Sequence, residues 1–224
     1  YWFFKDDFDS RGWKEIKVPA NWELEGFDYP IYTNVKFPHK RTPPKIQEDY
    51  NPVGSYKRTF TIPENWKGND VVLHIGAASS MVNVWVNEQY VGYSEDSKTP
   101  AEFNVTQFLK KGENSLAIEI FRWCDGSYLE DQDFWRMSGI TRDIYLVARA
   151  QQQVQDFRVI AGLDETYTNG VFSLNIDVAN NGENAAATTV EAVLNDNGTA
   201  VQTFSKKPDA GTSSVAFEAT LPNV

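Results

Sequence analysis

Hydrophobic and polar residues alternate with a period of two along several short segments of the chain. The clearest case is Val82, Val84 and Val86, which are separated by Asn83 and Trp85. The same alternation recurs at residues 56–62, 116–120, 172–178 and 215–221. This period is typical of half-buried strands, and turn signals rich in Gly and Asn lie between the segments. Because no strand–helix–strand rhythm is present, the sequence predicts an all-β protein built from sandwiches.

Aromatic residues divide the chain into two parts. All 7 Trp lie before residue 136, whereas the chain after residue 150 has few aromatic residues among many Ala, Thr, Asn and Val. A polar stretch at 148–153 follows an apolar run, so we predict one domain at 1–150 and another at 151–224. The second segment is shorter than the about 100 residues of an immunoglobulin-like sandwich. It is therefore expected to be a sandwich that lacks its last strand or strands.

Charge and composition narrow the classes of function. The 224 residues carry a formal net charge of −10, and this acidic surface disfavours nucleic acids and anionic membranes as partners. No segment approaches the about 20 consecutive apolar residues of a membrane-spanning helix. The single cysteine, Cys124, excludes a fold that depends on intrachain disulfides. The chain opens at Tyr1 without a leader pattern, and we expect it to be a piece of a longer protein.

The segment 122–136 has the highest density of polar and aromatic residues and follows a predicted strand. Its carboxylates are Asp125, Glu130, Asp131 and Asp133, and the same segment contains several aromatic side chains. Carboxylates that accept hydrogen bonds from hydroxyls, next to aromatic faces, suit a sugar. The alternative is a structural corner in which Arg122, Arg136 and Arg142 neutralise the acids while Trp123 and Trp135 fill the core.

Other chemistries receive weaker support. Acids that neighbour one another on one loop are poorly placed to face each other across a glycosidic bond, as a catalytic pair must. The segment also lacks the Asp spacing of a calcium-binding EF-hand loop. His39 and His74 show no metal-ligand spacing, and His74 is expected on the polar face of a strand. Cys124 has neither histidine near it in sequence, so a packed residue is favoured over a nucleophile.

Four motifs give the chain a resemblance to a known family. They are the run from Val18 to Val35 that ends in IYTNV, NPVGSY at 51–56, WVNEQYVGYS at 85–94 followed by Asp96 and Ser97, and DGSYLEDQDFWRMSGI at 125–140. In this order the motifs resemble the amino-terminal part of β-galactosidases of glycoside hydrolase family 2. The resemblance covers roughly residues 13–147. Beyond residue 150 the chain resembles the family only in its layout and its length.

The resemblance implies an architecture for the parent protein. A jelly-roll sugar-binding domain comes first, then an immunoglobulin-like sandwich, then a TIM barrel that carries the two catalytic glutamates and nearby magnesium ligands. The chain is then a jelly roll followed by a truncated immunoglobulin-like sandwich, without catalytic residues of its own. Its expected partners are a β-galactoside substrate, the TIM barrel of its own chain and, at full length, further copies in a homo-oligomer.

Two site residues follow from the resemblance. Asn34, in IYTNV, is expected to reach into the galactose pocket, and Asp133, the second Asp of DQD, is expected to bind a galactose hydroxyl and a sodium ion. Magnesium and sodium are implied for the full-length enzyme. The parent is then a β-galactosidase that hydrolyses terminal galactosides such as lactose. The alternatives are a β-glucuronidase or β-mannosidase of the same family and a free-standing carbohydrate-binding module.

Overall fold

The computed structural model describes residues 2–130, 133–180, 188–208 and 213–223. The chain forms two compact units, Tyr1–Ala148 and Arg149–Val224. The strands of the described residues, numbered in chain order, are β1 (Ile31–Thr33), β2 (Val53–Thr61), β3 (Asp70–Ile75), β4 (Ala78–Ser79), β5 (Met81–Val86), β6 (Gln89–Ser94), β7 (Ala101–Asn104), β8 (Glu113–Phe121), β9 (Phe134–Arg136), β10 (Gly139–Ile140), β11 (Ile144–Arg149), β12 (Gln152–Leu163), β13 (Gly170–Asn180), β14 (Val190–Asp196), β15 (Thr199–Lys206) and β16 (Ser214–Leu221).

The first unit is a sandwich of two main sheets. One sheet has the strand order β2-β8-β5-β6, and the other has the order β11-β3-β7. The apolar residues with a period of two fill the space between them, including Leu73, Val84 and Ile118, which are at most 2% exposed. The prediction of an all-β protein with sandwich-like sheets is confirmed.

Strand β5 shows how the alternating residues are buried and paired in the structure. Val82, Val84 and Val86 are buried, and each lies opposite an apolar or small residue of β8. The chain then reverses through Asn87 and Glu88, which both have a positive φ, as a tight two-residue hairpin turn requires. Hairpin geometry thus fixes the register that buries one face of the strand.

The region before β2 contains little regular structure, as its many prolines predict. Its segment around Trp22 forms two backbone hydrogen bonds, one to Ile140 of β10 and one to Ser138 just before that strand. The Ala20 N–H donates to the Ile140 carbonyl at 2.8 Å, and the Trp22 N–H donates to the Ser138 carbonyl at 3.0 Å. The Trp22 ring is part of the hydrophobic core of this unit.

Helical structure in the described part of the chain is limited to short 3₁₀ turns. They are Glu64–Trp66, Thr106–Phe108 and Asp125–Tyr128. A bilayer-crossing helix, long and apolar, does not occur among the described residues.

The second unit contains a three-stranded sheet with the order β12-β13-β16 and a two-stranded hairpin of β14 and β15. Its core comes from alternate residues of β13 and β16, such as Leu174, Ile176 and Phe217, with Val190 of β14. The hairpin turns at Asn197 and Gly198, both with a positive φ, in agreement with the turn signal there. The description of this unit as a partial immunoglobulin-like sandwich stays a prediction.

Candidate functional site

A short antiparallel ladder brings the two sequence-predicted site residues together. Strand β1 pairs with β9, and Thr33 lies opposite Phe134. Asn34 directly follows Thr33, and Asp133 directly precedes Phe134, so the two residues come next to each other at the same end of the ladder. Both are exposed. The structure therefore places an amide and a carboxylate at one surface position, although they are far apart in sequence.

Tyr32 holds the carboxylate of Asp133. Its hydroxyl donates a hydrogen bond to Asp133 Oδ1 at 2.6 Å, a length typical of a charge-assisted bond. This hydrogen bond raises the pKa of Tyr32, since loss of the phenol proton would break it and bring two negative charges together. The Tyr32 ring lies beside Trp135, its partner across the ladder, with 5.5 Å between the ring centroids.

The other face of β9 is anchored in the protein. Arg136 is buried, its guanidinium lies 4.3 Å from the centre of the Phe134 ring, and its Nε donates to Thr33 Oγ1 at 3.4 Å. Because successive residues of a strand point to opposite faces, Trp135 points away from these two residues and is 56% exposed. The expectation that Trp135 fills the core is wrong, whereas Trp123 is buried as expected.

Arg122 is buried and connects β9 with the segment that precedes β1. It is 1% exposed, and its Nη1 donates to an Asp28 carboxylate oxygen and lies 3.7 Å from Glu23 Oε1. Its Nη2 donates to the carbonyl oxygens of Tyr29 and Arg136, each at 3.0 Å. Arg122 thus neutralises acids that precede β1, and not the described acids of segment 125–133, Asp125, Glu130 and Asp133, as the structural-corner alternative expected.

The acids of segment 125–133 have separate environments. Glu130 accepts hydrogen bonds from the Ser97 backbone N–H at 2.9 Å and from the Ser97 hydroxyl at 2.6 Å, which gives it a structural role. Asp125 begins a 3₁₀ turn, and Asp131 lies outside the described residues. Among the described acids of this segment, Asp133 is therefore the one that lies at the end of the ladder.

A second group of potential metal ligands was not predicted from the sequence. Glu95, Cys124 and Asp125 place one ligand atom each within 4.8 Å of one another. Burial raises the pKa of Glu95, and the hydrogen bond and charge of Asp125 raise it further. Burial also raises the pKa of the Cys124 thiol, which disfavours the reactive thiolate form. The position of Glu95 next to this turn depends on tertiary structure, which no local sequence signal reveals.

His74 has the structural role that its strand position predicts. Its Nδ1 lies 3.1 Å from Glu102 Oε1 on the neighbouring strand β7, and its ring stacks on Tyr145 with 4.5 Å between centroids. The His74 imidazole thus contributes to packing between neighbouring strands. Neither of these contacts joins it to the ladder of β1 and β9.

The first unit is a β-sandwich that carries the short ladder of β1 and β9. Residues 3–150 match the family described as "Glycosyl hydrolases family 2, sugar binding domain". The chain belongs to glycosyl hydrolase family 2, as the four motifs predict.

Named relatives support the same family. The chain is 48% identical to a β-galactosidase of Priestia megaterium over 182 residues, which cover 80% of this chain and 18% of that protein. It is 44% identical to a β-galactosidase of Psychromonas ingrahamii over 76% of this chain and 16% of that protein. The chain thus spans less than a fifth of the length of these relatives.

Solved structures support the fold. A β-glucuronidase of Bacteroides uniformis superposes with a TM-score of 0.74 at 22% sequence identity, over 98% of this chain and 26% of that chain. A β-glycosidase of Bacteroides vulgatus superposes with a TM-score of 0.69 at 17% identity, over 98% of this chain and 27% of that chain. At these identities the likeness is one of architecture.

Proposed function

We propose that the chain is part of a β-galactosidase that hydrolyses terminal non-reducing β-D-galactosides such as lactose, and that Asn34 and Asp133 form one wall of its galactose pocket. The observation that carries this proposal is the register of β1 and β9, which brings Asn34 and Asp133 to one exposed position. The β-galactosidase relatives support the choice of substrate, since they share 42–48% identity with most of the chain.

The two side chains have complementary abilities toward a sugar. The Asp133 carboxylate accepts hydrogen bonds, and the bond from Tyr32 leaves further lone pairs for a galactose hydroxyl. The Asn34 amide both donates and accepts, which suits the alternating hydroxyls along a sugar edge. Together they fix the orientation of the sugar without taking part in bond cleavage.

Asp133 would also supply one oxygen ligand to sodium. Hard cations prefer oxygen donors, and an exposed carboxylate held by a neighbouring hydroxyl fits that requirement. Bound sodium would supply positive charge next to a sugar hydroxyl. The proposal includes magnesium for the full-length enzyme, because the family resemblance places its ligands near the catalytic glutamates of the TIM barrel.

The hydrolytic step is assigned to the TIM barrel of the same polypeptide. Glycoside hydrolysis needs an acid and a second carboxyl group facing each other across the scissile bond. The proposal assigns neither of these two carboxyl roles to a residue of segment 1–224. The further partners that we propose are the barrel, against which the Asn34 and Asp133 wall completes the pocket, and other copies in a homo-oligomer.

The second candidate function is that of a β-glucuronidase, which is favoured by the structural likeness to the Bacteroides uniformis enzyme. A glucuronide carries a carboxylate of its own. The Asp133 carboxylate would repel that group, because like charges at short range disfavour each other in a partly enclosed site. This electrostatic argument favours the neutral galactoside.

The test is an assay of the full-length protein that carries this sequence on chromogenic β-galactoside, β-glucuronide and β-mannoside. We expect the highest kcat/KM for the galactoside and a large loss in the Asp133→Asn variant. The control is Asp9→Asn, since Asp9 is an exposed acid paired with Arg11. A preference for the glucuronide or mannoside would assign the protein to another activity of the family. Absence of hydrolysis together with sugar binding would favour a carbohydrate-binding module.

A further inference from the structure

We propose that Tyr32 is a positioning residue of the galactose site, which fixes the carboxylate of Asp133 in the orientation that receives the sugar. The inference rests on the proposed function, since it assigns to Tyr32 an effect that acts through Asp133. Its structural basis is the hydrogen bond from the Tyr32 hydroxyl to Asp133 Oδ1 at 2.6 Å.

An exposed aspartate at the end of a two-stranded ladder has several accessible rotamers. Asp133 is exposed and precedes the first residue of β9, so backbone pairing alone does not fix its side chain. A hydrogen bond to one carboxylate oxygen selects one rotamer and leaves the other oxygen available. Such preorganisation lowers the entropy that is lost when a ligand binds.

Tyr32 is itself held in place. It lies opposite Trp135 in the ladder, and the two rings are 5.5 Å apart at an interplanar angle of 50°. The Tyr32 side chain is nevertheless half exposed, so its hydroxyl adds little to the core. The ring provides a fixed base, and the hydroxyl provides the contact with Asp133. Loss of the hydroxyl should therefore change the site without changing the fold.

Tyr90 offers a closely matched control in the same unit. It lies opposite Trp85 in the pairing of β5 and β6, with ring centroids 5.5 Å apart, and it is 50% exposed compared with 53% for Tyr32. Its hydroxyl donates to Asn83 Oδ1 at 3.1 Å, away from the ladder of β1 and β9. The Tyr90→Phe variant thus removes an equivalent hydroxyl from an equivalent aromatic pair.

The first experiment compares Tyr32→Phe with Tyr90→Phe in the full-length enzyme. We expect Tyr32→Phe to lower kcat/KM for a galactoside by roughly tenfold, mostly through KM, because one hydrogen bond to a charged group is lost. The sodium concentration that gives half of the maximal activity should increase. Both melting temperatures should stay near that of the wild type, and Tyr90→Phe should keep normal kinetics.

A double-mutant cycle separates positioning from a direct role. If Tyr32 acts through Asp133, the Tyr32→Phe change should have almost no effect in an Asp133→Ala background, so the two losses should not multiply. Losses that multiply fully would show that Tyr32 acts independently of Asp133, and would overturn the inference.

Crystal structures of the wild type and of Tyr32→Phe test the same point without activity. We expect the Asp133 carboxylate to occupy one rotamer in the wild type and several in the variant. An Asp133 carboxylate that keeps its position in the variant, or a wild-type hydroxyl that points elsewhere, would overturn the inference. Absence of galactosidase activity in the wild type would instead overturn the proposed function, and the crystal structures would still decide the role of Tyr32.

Discussion

Asp133 is the residue on which the proposed pocket depends most. Replacement by Ala in the full-length enzyme should lower kcat/KM for a galactoside by on the order of a hundredfold, because the proposed site would lose both a hydrogen bond to a charged group and its proposed sodium ligand. The melting temperature should hardly change, since Asp133 is exposed. Steady-state kinetics at several sodium concentrations, combined with thermal unfolding, provide the measurement. A variant with normal turnover and normal sodium response would contradict the assignment.

Arg122 should be important for stability and not for chemistry. Its guanidinium is buried and donates to Asp28 and to the carbonyl oxygens of Tyr29 and Arg136. Arg122→Met would remove a donor from these acceptors and leave the buried Glu23 carboxylate, 3.7 Å from Nη1, without a nearby positive charge. We expect a loss of about 3–5 kcal/mol in the free energy of unfolding. Urea unfolding measures this loss, with Arg11→Met as the exposed control. Equal stability of the two variants would show that the network contributes little.

Glu23 should make stability depend on pH. Its carboxylate is buried and accepts hydrogen bonds from the Ser138 N–H, but burial raises its pKa above the ordinary value of 4.5. The folded protein then binds a proton more tightly than the unfolded chain does. Stability should therefore decrease as pH rises from about 4.5 through the raised pKa of Glu23.

The Glu23→Gln variant tests this pH dependence, because its neutral amide can still accept from Ser138. Urea unfolding between pH 4 and pH 8 should show a decline for the wild type that is smaller in the variant. The same slope for both proteins would mean that Glu23 has similar proton affinity in the folded and unfolded states.

At the scale of elements, Gly139 controls how the segment around Trp22 is fastened to β10. Its φ is +115°, and a Cβ at this position would lie 2.7 Å from the Ala20 carbonyl oxygen. Gly139→Ala would strain the backbone and push away the segment that hydrogen-bonds to Ser138 and Ile140. We expect a loss of about 2 kcal/mol or more in stability, given that a strained residue alone costs about 1–3 kcal/mol.

Gly112 is the control for that prediction. Its φ is +88°, but a Cβ there would have open space around it. Gly112→Ala therefore measures the loss of stability caused by a positive φ in a residue with a Cβ, without a steric clash. A similar loss of stability in the two variants, measured by thermal unfolding, would show that the close approach to Ala20 is unimportant.

The elements also show what the sequence could predict. The period-two pattern predicts strands such as β5 and β8 well, because burial of one face depends on local alternation. It misses β1 and β9, which have three residues each, because their pairing joins segments that are distant in sequence. The contact between Tyr32 and Asp133 depends on that pairing. The family motifs identify Asn34 and Asp133 as site residues. The alternation of hydrophobic and polar residues alone does not identify them.

Charge pairing was the least predictable feature from sequence. Arg122 lies next to an acidic segment along the chain, yet it pairs with Asp28 and Glu23, which precede β1. Trp135 similarly belongs to a strand whose inward face is occupied by Phe134 and Arg136. The register of β9 sets the outward direction of Trp135, whereas Arg122 pairs with acids that only the folded chain brings close to it.

At the scale of the whole molecule, the isolated chain should bind galactose only weakly. Asn34 and Asp133 lie exposed at the end of a two-stranded ladder, and small ligands reach useful affinity when most of their surface is enclosed. We expect a dissociation constant in the millimolar range or above, and no hydrolysis of a chromogenic β-galactoside. Chemical shift changes in the labelled chain, shown to be folded by circular dichroism, measure the affinity, and Asp133→Ala should abolish the changes. Micromolar binding would instead favour a free-standing carbohydrate-binding module, in which the pocket is complete without a barrel.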